Sequence, residues 1–319
     1  MMRSPGLLIR APLGVHLPGT HPPTTDAPPL PAADQGSDLT ATFVGATTLL
    51  VDDGTSRLLV DPFFSRPGAV RCAVGRIGPD ARTIDSCLRR LGVDRLDAVV
   101  ASHSHYDHAM DAPYVARRTG ALLVGSRSTT MIGRGFGLPE EQMALVEPED
   151  ALQVGTLTVT FARSAHVAPV HFPGQISSPL TPPVRISSYR VGECYSVQIR
   201  AGRRAVLVQG SAGSVTGALD GLPTHVVYLA IGVLSRATSA ARERYWDEVV
   251  TAVGARRVLV THWDNMWRPL SLPLAPLPSV VDDIPATMRF LAAHAARNGV
   301  DLRVPTSWQP TDPFVGLVG

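Results

Sequence analysis

Seven consecutive residues, Ser102-His103-Ser104-His105-Tyr106-Asp107-His108, follow the largely apolar run Leu96 to Ala101 without a break. Three imidazoles and a carboxylate at the end of an apolar strand read as a buried scaffold that delivers ligands to a metal. Side chains two apart in a strand share a face, so His103 and His105 point to one side where strand geometry continues. Asp107 and His108 lie in the turn beyond. Two groups of ligands can therefore face two metal ions.

The stretch His103-Ser104-His105-Tyr106-Asp107-His108 resembles the His-x-His-x-Asp-His signature of the metallo-β-lactamase-fold hydrolases. Thr42 to Val51, followed by Leu58-Leu59-Val60-Asp61-Pro62, is similar to the first hairpin of one branch of that family. The branch contains the ascorbate-phosphate lactonase-like and N-acylphosphatidylethanolamine phospholipase D-like proteins. The matched motifs span roughly residues 40 to 270. The resemblance implies an α/β (α+β) fold, a four-layer αββα sandwich of two mixed sheets with helices outside and ligands on strand-end loops along one edge.

It also implies roles for residues elsewhere. His166, at the end of the strand Leu157 to Ala162, takes the family's third ligand position and completes three imidazoles with His103 and His105; His171, in a proline-bounded loop, is the alternative. His262, after Arg257 to Thr261, joins Asp107 and His108 at the second ion. Asp61 would orient a ligand histidine, the bland reading being an Asp-Pro turn at a strand end. Ser211, in Gln209-Gly210-Ser211, departs from the family, most members of which carry an aspartate there that bridges both metals. Either the second ion is lost or a hydroxide alone holds the pair together, and two ions are expected.

Ligand type sets the chemistry. Three neutral imidazoles suit Zn2+ and leave a coordination position for water. One carboxylate with two imidazoles also suits zinc, with Mn2+ or Fe2+ as lesser alternatives. Water on such ions falls from a pKa of ~15.7 to ~7, so hydroxide is available at neutral pH. The expected reaction is hydrolysis of an ester, lactone, amide or phosphodiester bond in a small molecule, with Asp107 accepting a proton from the attacking water. Redox chemistry fits less well, because family members with an oxygen-handling di-iron site usually show Glu where this chain has His105. The reading from another class is a relative that binds metal or ligand without turnover, marked by Ser211.

Composition narrows the field. The chain has 319 residues, 45% of them apolar, and a net charge of +2. It can bury a full core, and it has no strong field for polyanions such as nucleic acid. It contains no lysine, which removes Schiff-base chemistry. Cys72, Cys87 and Cys194 have no metal-like spacing and read as reduced thiols of a cytoplasmic protein. Met1 to Ile9 is too short in apolar residues for a signal peptide, and no stretch approaches a membrane span.

The organisation follows from punctuation. Residues 1–38 form a Pro-rich leader, poorly ordered or strapped across the surface; 39–312 form one domain; 313–319 are a tail. Hairpin strands surround Asp53-Gly54. Residues 63 to 82 read as an irregular loop whose arginines, Arg66 among them, face solvent or meet a carboxylate or phosphate. A helix runs from a Thr83 cap to Leu91, another from Ala112 to Arg118. Ala121 to Gly125, Ser128 to Ile132 and Met143 to Val146 read as strands. Residues 167 to 192 lack periodicity and are a candidate lid, with Arg185 and Arg190 as substrate anchors. Helices are expected over Thr238 to Val253 and Ile284 to Asn298.

Overall fold

A computed structural model of the chain describes residues 22–34 and 36–317. Its first half runs β1 (Thr40–Gly45), β2 (Thr48–Asp52), β3 (Arg57–Val60), α1 (Ala69–Val74), α2 (Ala81–Leu91), β4 (Ala98–Val100), α3 (Tyr106–Ala109), α4 (Ala112–Thr119), β5 (Leu122–Gly125), α5 (Arg127–Phe136) and β6 (Met143–Leu145). The second half runs β7 (Ala151–Val154), β8 (Leu157–Ser164), β9 (Cys194–Ala201), β10 (Arg204–Gln209), β11 (Val226–Ala230), α6 (Ser239–Trp246), β12 (Arg257–Thr261), α7 (Ile284–Asn298), β13 (Asp301–Arg303) and β14 (Pro310–Thr311).

Alternation along the strands sorts the apolar side chains into layers. Phe43, Leu49, Leu58 and Val100 of one sheet meet Phe161, Val197, Val208 and Tyr228 of the other in the central core. The residues between them point outward. Val44, Leu50, Leu59 and Val99 pack on Ile84 and Leu88 of α2 and Val115 of α4. Leu207, Val227 and Val260 pack on Tyr245 and Trp246 of α6 and Met288 and Leu291 of α7. Each fully buried side chain of this size contributes roughly 1.5–3 kcal/mol, so the sandwich follows from the strand pattern.

The sheets have seven strands each, ordered β14-β1-β2-β3-β4-β5-β6 and β13-β12-β11-β10-β9-β8-β7. Both are mixed: β1, β2 and β3 pair antiparallel and β3 to β6 parallel, while β10 to β13 pair parallel and β7 to β10 antiparallel. The strands whose ends carry the ligands run the same way within their sheets: β3 and β4 pair parallel, β11 and β12 pair parallel, and β8 takes the direction of β10 through two antiparallel pairings with β9. Side chains from distant parts of the chain can therefore meet along one edge.

Several expectations are corrected. Ser128 to Ile132 lies in helix α5, not a strand, because the Ser126 side chain caps the helix by accepting from the Thr129 amide. Helix α2 is capped by Asp80, with Thr83 as the donor inside the first turn, and it stops at Gly92 with φ 65°. Within 63–82, expected to be irregular, residues 69–74 form α1. Helix α6 passes into a π-helical turn over Asp247–Thr251.

The described part of the expected leader, residues 22–34, lies on the domain rather than loose. Leu30 is buried in the inter-sheet core. The Ala33 amide donates to Pro310 O at 2.9 Å, and the Arg303 guanidinium donates to Pro28 O at 2.5 Å. Residues 1–21 of that leader, including Met1 to Ile9, lie outside the described residues. The expected tail is also tied in: Arg257 donates to Pro313 O at 2.7 Å and to Val315 O at 2.9 Å. Among the described residues no helix is long and apolar enough to cross a membrane.

Candidate metal centre

Strand β4 ends at Val100, and the chain continues through Ala101 and Ser102 into the histidine motif. His105 occupies the N-cap of α3, so Asp107 and His108 sit in a single helical turn rather than an open loop. His166 follows β8, and His262 follows β12 with φ 55°. Asp61 follows β3 with φ 45°, and Ala46 in the β1–β2 turn has φ 48°. A non-glycine residue in the left-handed region costs on the order of 1 kcal/mol or more. Three of them around one site mean that the surrounding bonds, and not local preference, hold the backbone there.

Those bonds are visible. The Asp61 amide donates to Val100 O at 2.8 Å and the Thr48 hydroxyl to Asp61 O at 2.8 Å. The His262 amide donates to Ala46 O at 2.7 Å, and the Ala46 amide to Asp264 Oδ1 at 2.7 Å. Asp264 is itself held by the buried Arg66 guanidinium at 2.6 Å.

The structure gathers the six histidine and aspartate side chains singled out by the motif and by the resemblance into two groups. One is His103, His105 and His166; the other is Asp107, His108 and His262. Within each group the candidate ligand atoms lie within 4.8 Å of one another, and each group could hold a metal ion. His103 and His108 rings are adjacent, with centroids 3.8 Å apart, so the two groups share a wall.

Hydrogen bonds set which nitrogen of each ring faces inward. His105 Nε2 donates to His171 O at 2.8 Å, leaving Nδ1 bare. His166 Nδ1 donates to Val167 O at 2.9 Å, leaving Nε2. Ser102 Oγ gives its proton to Asp61 Oδ2 at 2.6 Å and so accepts from His103 Nδ1 at 3.2 Å, leaving His103 Nε2 bare. His103 Nε2 and His105 Nδ1 then face each other at 3.2 Å. Two lone pairs at that separation repel unless a cation sits against both, and the donor set fits a metal for that reason. In the second group, Asp107 Oδ2 lies 3.3 Å from His262 Nε2 and 3.5 Å from His108 Nε2.

The charges match this division. Burial, then the neighbouring imidazoles, hold His103 far below the usual histidine range. Burial also lowers His105, and it brings His166 down to about 4, so the first group consists of neutral donors. Burial works against His108 as a cation, but the carboxylates of Asp107 and Asp61 outweigh it and push His108 up to about 10. Burial likewise opposes the Asp107 anion, and His108 and His262 outweigh it and hold the carboxyl far below its ordinary value.

Around these groups Asp61 collects donors: Ser102 N at 2.7 Å on Oδ1, and Ser102 Oγ at 2.6 Å, His108 Nδ1 at 2.8 Å and Thr47 Oγ1 at 3.0 Å on Oδ2. Ser211 is in neither group. Its hydroxyl accepts from the Val167 amide at 3.1 Å and helps to line the cavity. A cavity of about 410 Å³ opens over the centre, lined among others by His105, Asp107, His166 and His262. His171, the alternative third ligand, contributes its carbonyl to His105 and its ring to the cavity wall.

The expected substrate arginines are corrected. Arg185 and Arg190 are exposed and neither lines the cavity; Arg190 donates to Pro173 O at 3.1 Å. The segment 167–192 contributes His171, Phe172 and Ile186 to the wall, and backbone bonds such as Val191 N to Phe172 O and Leu180 N to Met131 O pin it. Of the loop arginines, Arg66 meets a carboxylate, but an internal one. Sequence reasoning passed over Thr47, Ser102 and Gly232. A β-carbon on Gly232 would stand 2.9 Å from His262 Nδ1, so only glycine leaves room for that ring.

Two mixed sheets face to face, helices outside, and histidines and aspartates meeting at strand ends along one edge define a metal-site αββα sandwich. The model of the metallo-beta-lactamase superfamily matches residues 41–185 of the chain. A UPF0173 metal-dependent hydrolase of Heliobacterium modesticaldum is 30% identical over 107 residues, 34% of this chain and 38% of that protein. The chain spans less than half the length of the curated relatives it matches. Igni18, a metallo hydrolase of Ignicoccus hospitalis, has the same fold with a TM-score of 0.55 at 16% identity, over 86% of this chain and 97% of that one. CmlA, a diiron beta-hydroxylase of Streptomyces venezuelae, gives a TM-score of 0.52 at 16% identity, over 86% of this chain and 54% of that one.

Proposed function

We propose that the protein is a metal-dependent hydrolase that cleaves an ester, lactone, amide or phosphodiester bond of a small molecule. The observation that carries this reading is the pair of three-donor groups beneath one cavity, the first with its bare nitrogens turned inward. His103, His105 and His166 would hold one ion and Asp107, His108 and His262 a second; the donor types favour Zn2+ over Mn2+ or Fe2+. Bound there, the metal supplies a Lewis acid and a water acidic enough to attack at neutral pH.

The chain's own residues do the rest. Asp61 fixes His108 through Nδ1 and, through Ser102, the Nδ1 tautomer of His103. Asp107 accepts a hydrogen bond from the attacking water and orients it. The water oxygen bonds to the acyl carbon or phosphorus, the bond to the leaving group breaks, and the leaving group takes up the proton that the water gives. Three free thiols, Cys72, Cys87 and Cys194, support a reducing, cytoplasmic setting.

Ser211 supports a second reading, a relative that binds metal without turnover: it stands where most of the family carry a bridging aspartate, and its hydroxyl accepts from the Val167 amide rather than joining either group. The experiment is metal analysis of protein purified without chelator, together with turnover on an ester, lactone, amide and phosphodiester panel. Two equivalents of metal, near zero in the double variant His103→Ala/His108→Ala, with metal-dependent turnover, is the expected result. Metal content untouched by the double change overturns the ligand assignment; metal without turnover selects the second reading.

A further inference from the structure

We infer that the substrate is an uncharged acyl compound, an ester, lactone or amide, whose acyl part is an apolar chain rather than a phosphate or a carboxylate-bearing group. The inference rests on the hydrolase reading and deepens it.

The wall of the cavity above the two groups is apolar and aromatic: Phe172, Ile186, Val233, Trp267, Leu277 and Val281 supply it. No arginine is among the lining residues, and the chain has no lysine at all, so the wall offers no fixed cation to an anionic substrate part. Arginine forks or ammonium groups are what phosphate and carboxylate recognition ordinarily requires. Two further carboxylates line the cavity, and both are spent. Asp264 is paired with Arg66 at 2.6 Å, and Asp282 accepts from the Val233 amide and the Ser235 hydroxyl, each at 2.7 Å. The wall therefore offers a ligand no fixed cation, and the oxygens of its two further carboxylates are turned to internal donors.

The apolar surface does not stop at the mouth. Val281 lines the cavity and is 37% exposed, and Val280 beside it is 84% exposed. Arg236 is turned onto their backbone, donating to Val281 O at 2.6 Å and Val280 O at 2.5 Å, which fixes the segment that presents the two valines. A chain too long for about 410 Å³ has an apolar track to follow outward. The geometry of an apolar cavity, an apolar rim and a polar centre at its floor is that of a site for an amphiphile held by its tail, with the scissile carbonyl at the metal groups.

The test uses the metal-loaded full chain and a p-nitrophenyl ester series from acetate to octanoate, with mono-p-nitrophenyl suberate as the eight-carbon acyl group ending in a carboxylate. Burial of ~0.8 kcal/mol per methylene corresponds to about a fourfold rise in kcat/KM for each one until the cavity is filled. The suberate ester should fall well below the octanoate ester. Val281→Glu, a change at a part-exposed position, should lower the ratio of octanoate to acetate turnover. A flat series, or a suberate ester as good as the octanoate, overturns the inference while leaving the hydrolase reading intact. If no ester turns over, the hydrolase reading fails on this panel and the cavity is tested by binding. Quenching of tryptophan fluorescence by N-methyl amides should then tighten from butanamide to octanamide, since Trp263 and Trp267 line the cavity. Binding without dependence on chain length overturns the inference there.

Discussion

The amide of His262 donates to the carbonyl of Ala46 at 2.7 Å, joining the end of β12 in one sheet to the β1–β2 turn of the other. Ala46 returns the contact through its own amide, which donates to Asp264 Oδ1 at 2.7 Å. The two sheets are thus clasped at the edge that carries the metal groups. The clasp depends on Arg66, whose guanidinium is buried and bonded to Asp264 Oδ2 at 2.6 Å. Glycine at position 45 is required beside it, because a β-carbon there would collide with Arg66 Nη2. Asp264→Ala strands a buried cation and should cost ~3–5 kcal/mol in urea unfolding. The double change Arg66→Met/Asp264→Leu, which removes both charges, should cost clearly less. Equal losses in the two variants would mean that the pair acts through shape and not charge.

Asp61 reaches both metal groups without belonging to either, through His108 Nδ1 and through Ser102 to His103. Asp61→Asn keeps the volume but turns an amide donor toward groups that already donate. Loss of such an orienting carboxylate typically weakens metal binding 10–100-fold, and that is the expected fall in a chelator competition titration. Thr47→Val removes one of several donors and should cost less. Unchanged affinity in Asp61→Asn would show that the histidines hold their tautomers without it.

Much of this centre was legible in the sequence because its histidines follow apolar strands, at once or within one helical turn, and strand direction carries those ends to one edge. Asp61 was legible for the same reason. What was not legible depends on contacts between distant segments. Arg66 looks like any loop arginine until Asp264 is beside it. Arg185 and Arg190 carry charge, but nothing local says which way a side chain turns. Ser128 to Ile132 misleads because Thr129 and Thr130 favour strands by intrinsic preference, while the Ser126 cap and the packing of Ile132 make a helix. The strap 22–34 is Pro-rich and short of apolar residues, and its attachment runs through backbone carbonyls that no sequence pattern displays.

Gly232 gives a sharper handle on the second group. A β-carbon there would stand 2.9 Å from His262 Nδ1 and 3.1 Å from His262 O, and the backbone of His262 is fixed by the Ala46 bond. The ring has to turn away from Asp107. Gly232→Ala should therefore reduce bound metal from about two equivalents to about one, with the His103, His105 and His166 group still filled. Gly68→Ala, where nothing lies within 4 Å of the added carbon, is the control. Retention of both equivalents in Gly232→Ala by elemental analysis would remove His262 from the ligand set.

Asp111 predicts a pH dependence that is separate from the metal groups. Its carboxylate accepts from the Phe64 and Ser65 amides, each at 2.7 Å, and from the Ser65 hydroxyl at 2.7 Å, which ties the loop after Asp61 to the start of α4. Burial nevertheless dominates over these donors and pushes the carboxyl up to about 6 from an ordinary 3.8. Between those values the folded protein holds a proton that the unfolded chain has released, so stability falls as pH rises. The contribution is complete below pH 3.8 and is lost as pH passes about 6. At 1.36 kcal/mol per unit the loss amounts to ~3 kcal/mol. Buried histidines titrate over the same range with the opposite slope, so the quantity to measure is a difference. The unfolding free energy of the wild type minus that of Asp111→Asn should decrease by up to ~3 kcal/mol from pH 4 to pH 7 in chemical denaturation. A difference that stays level across that interval would place the Asp111 carboxyl near its ordinary value, with the three donors fully offsetting its burial.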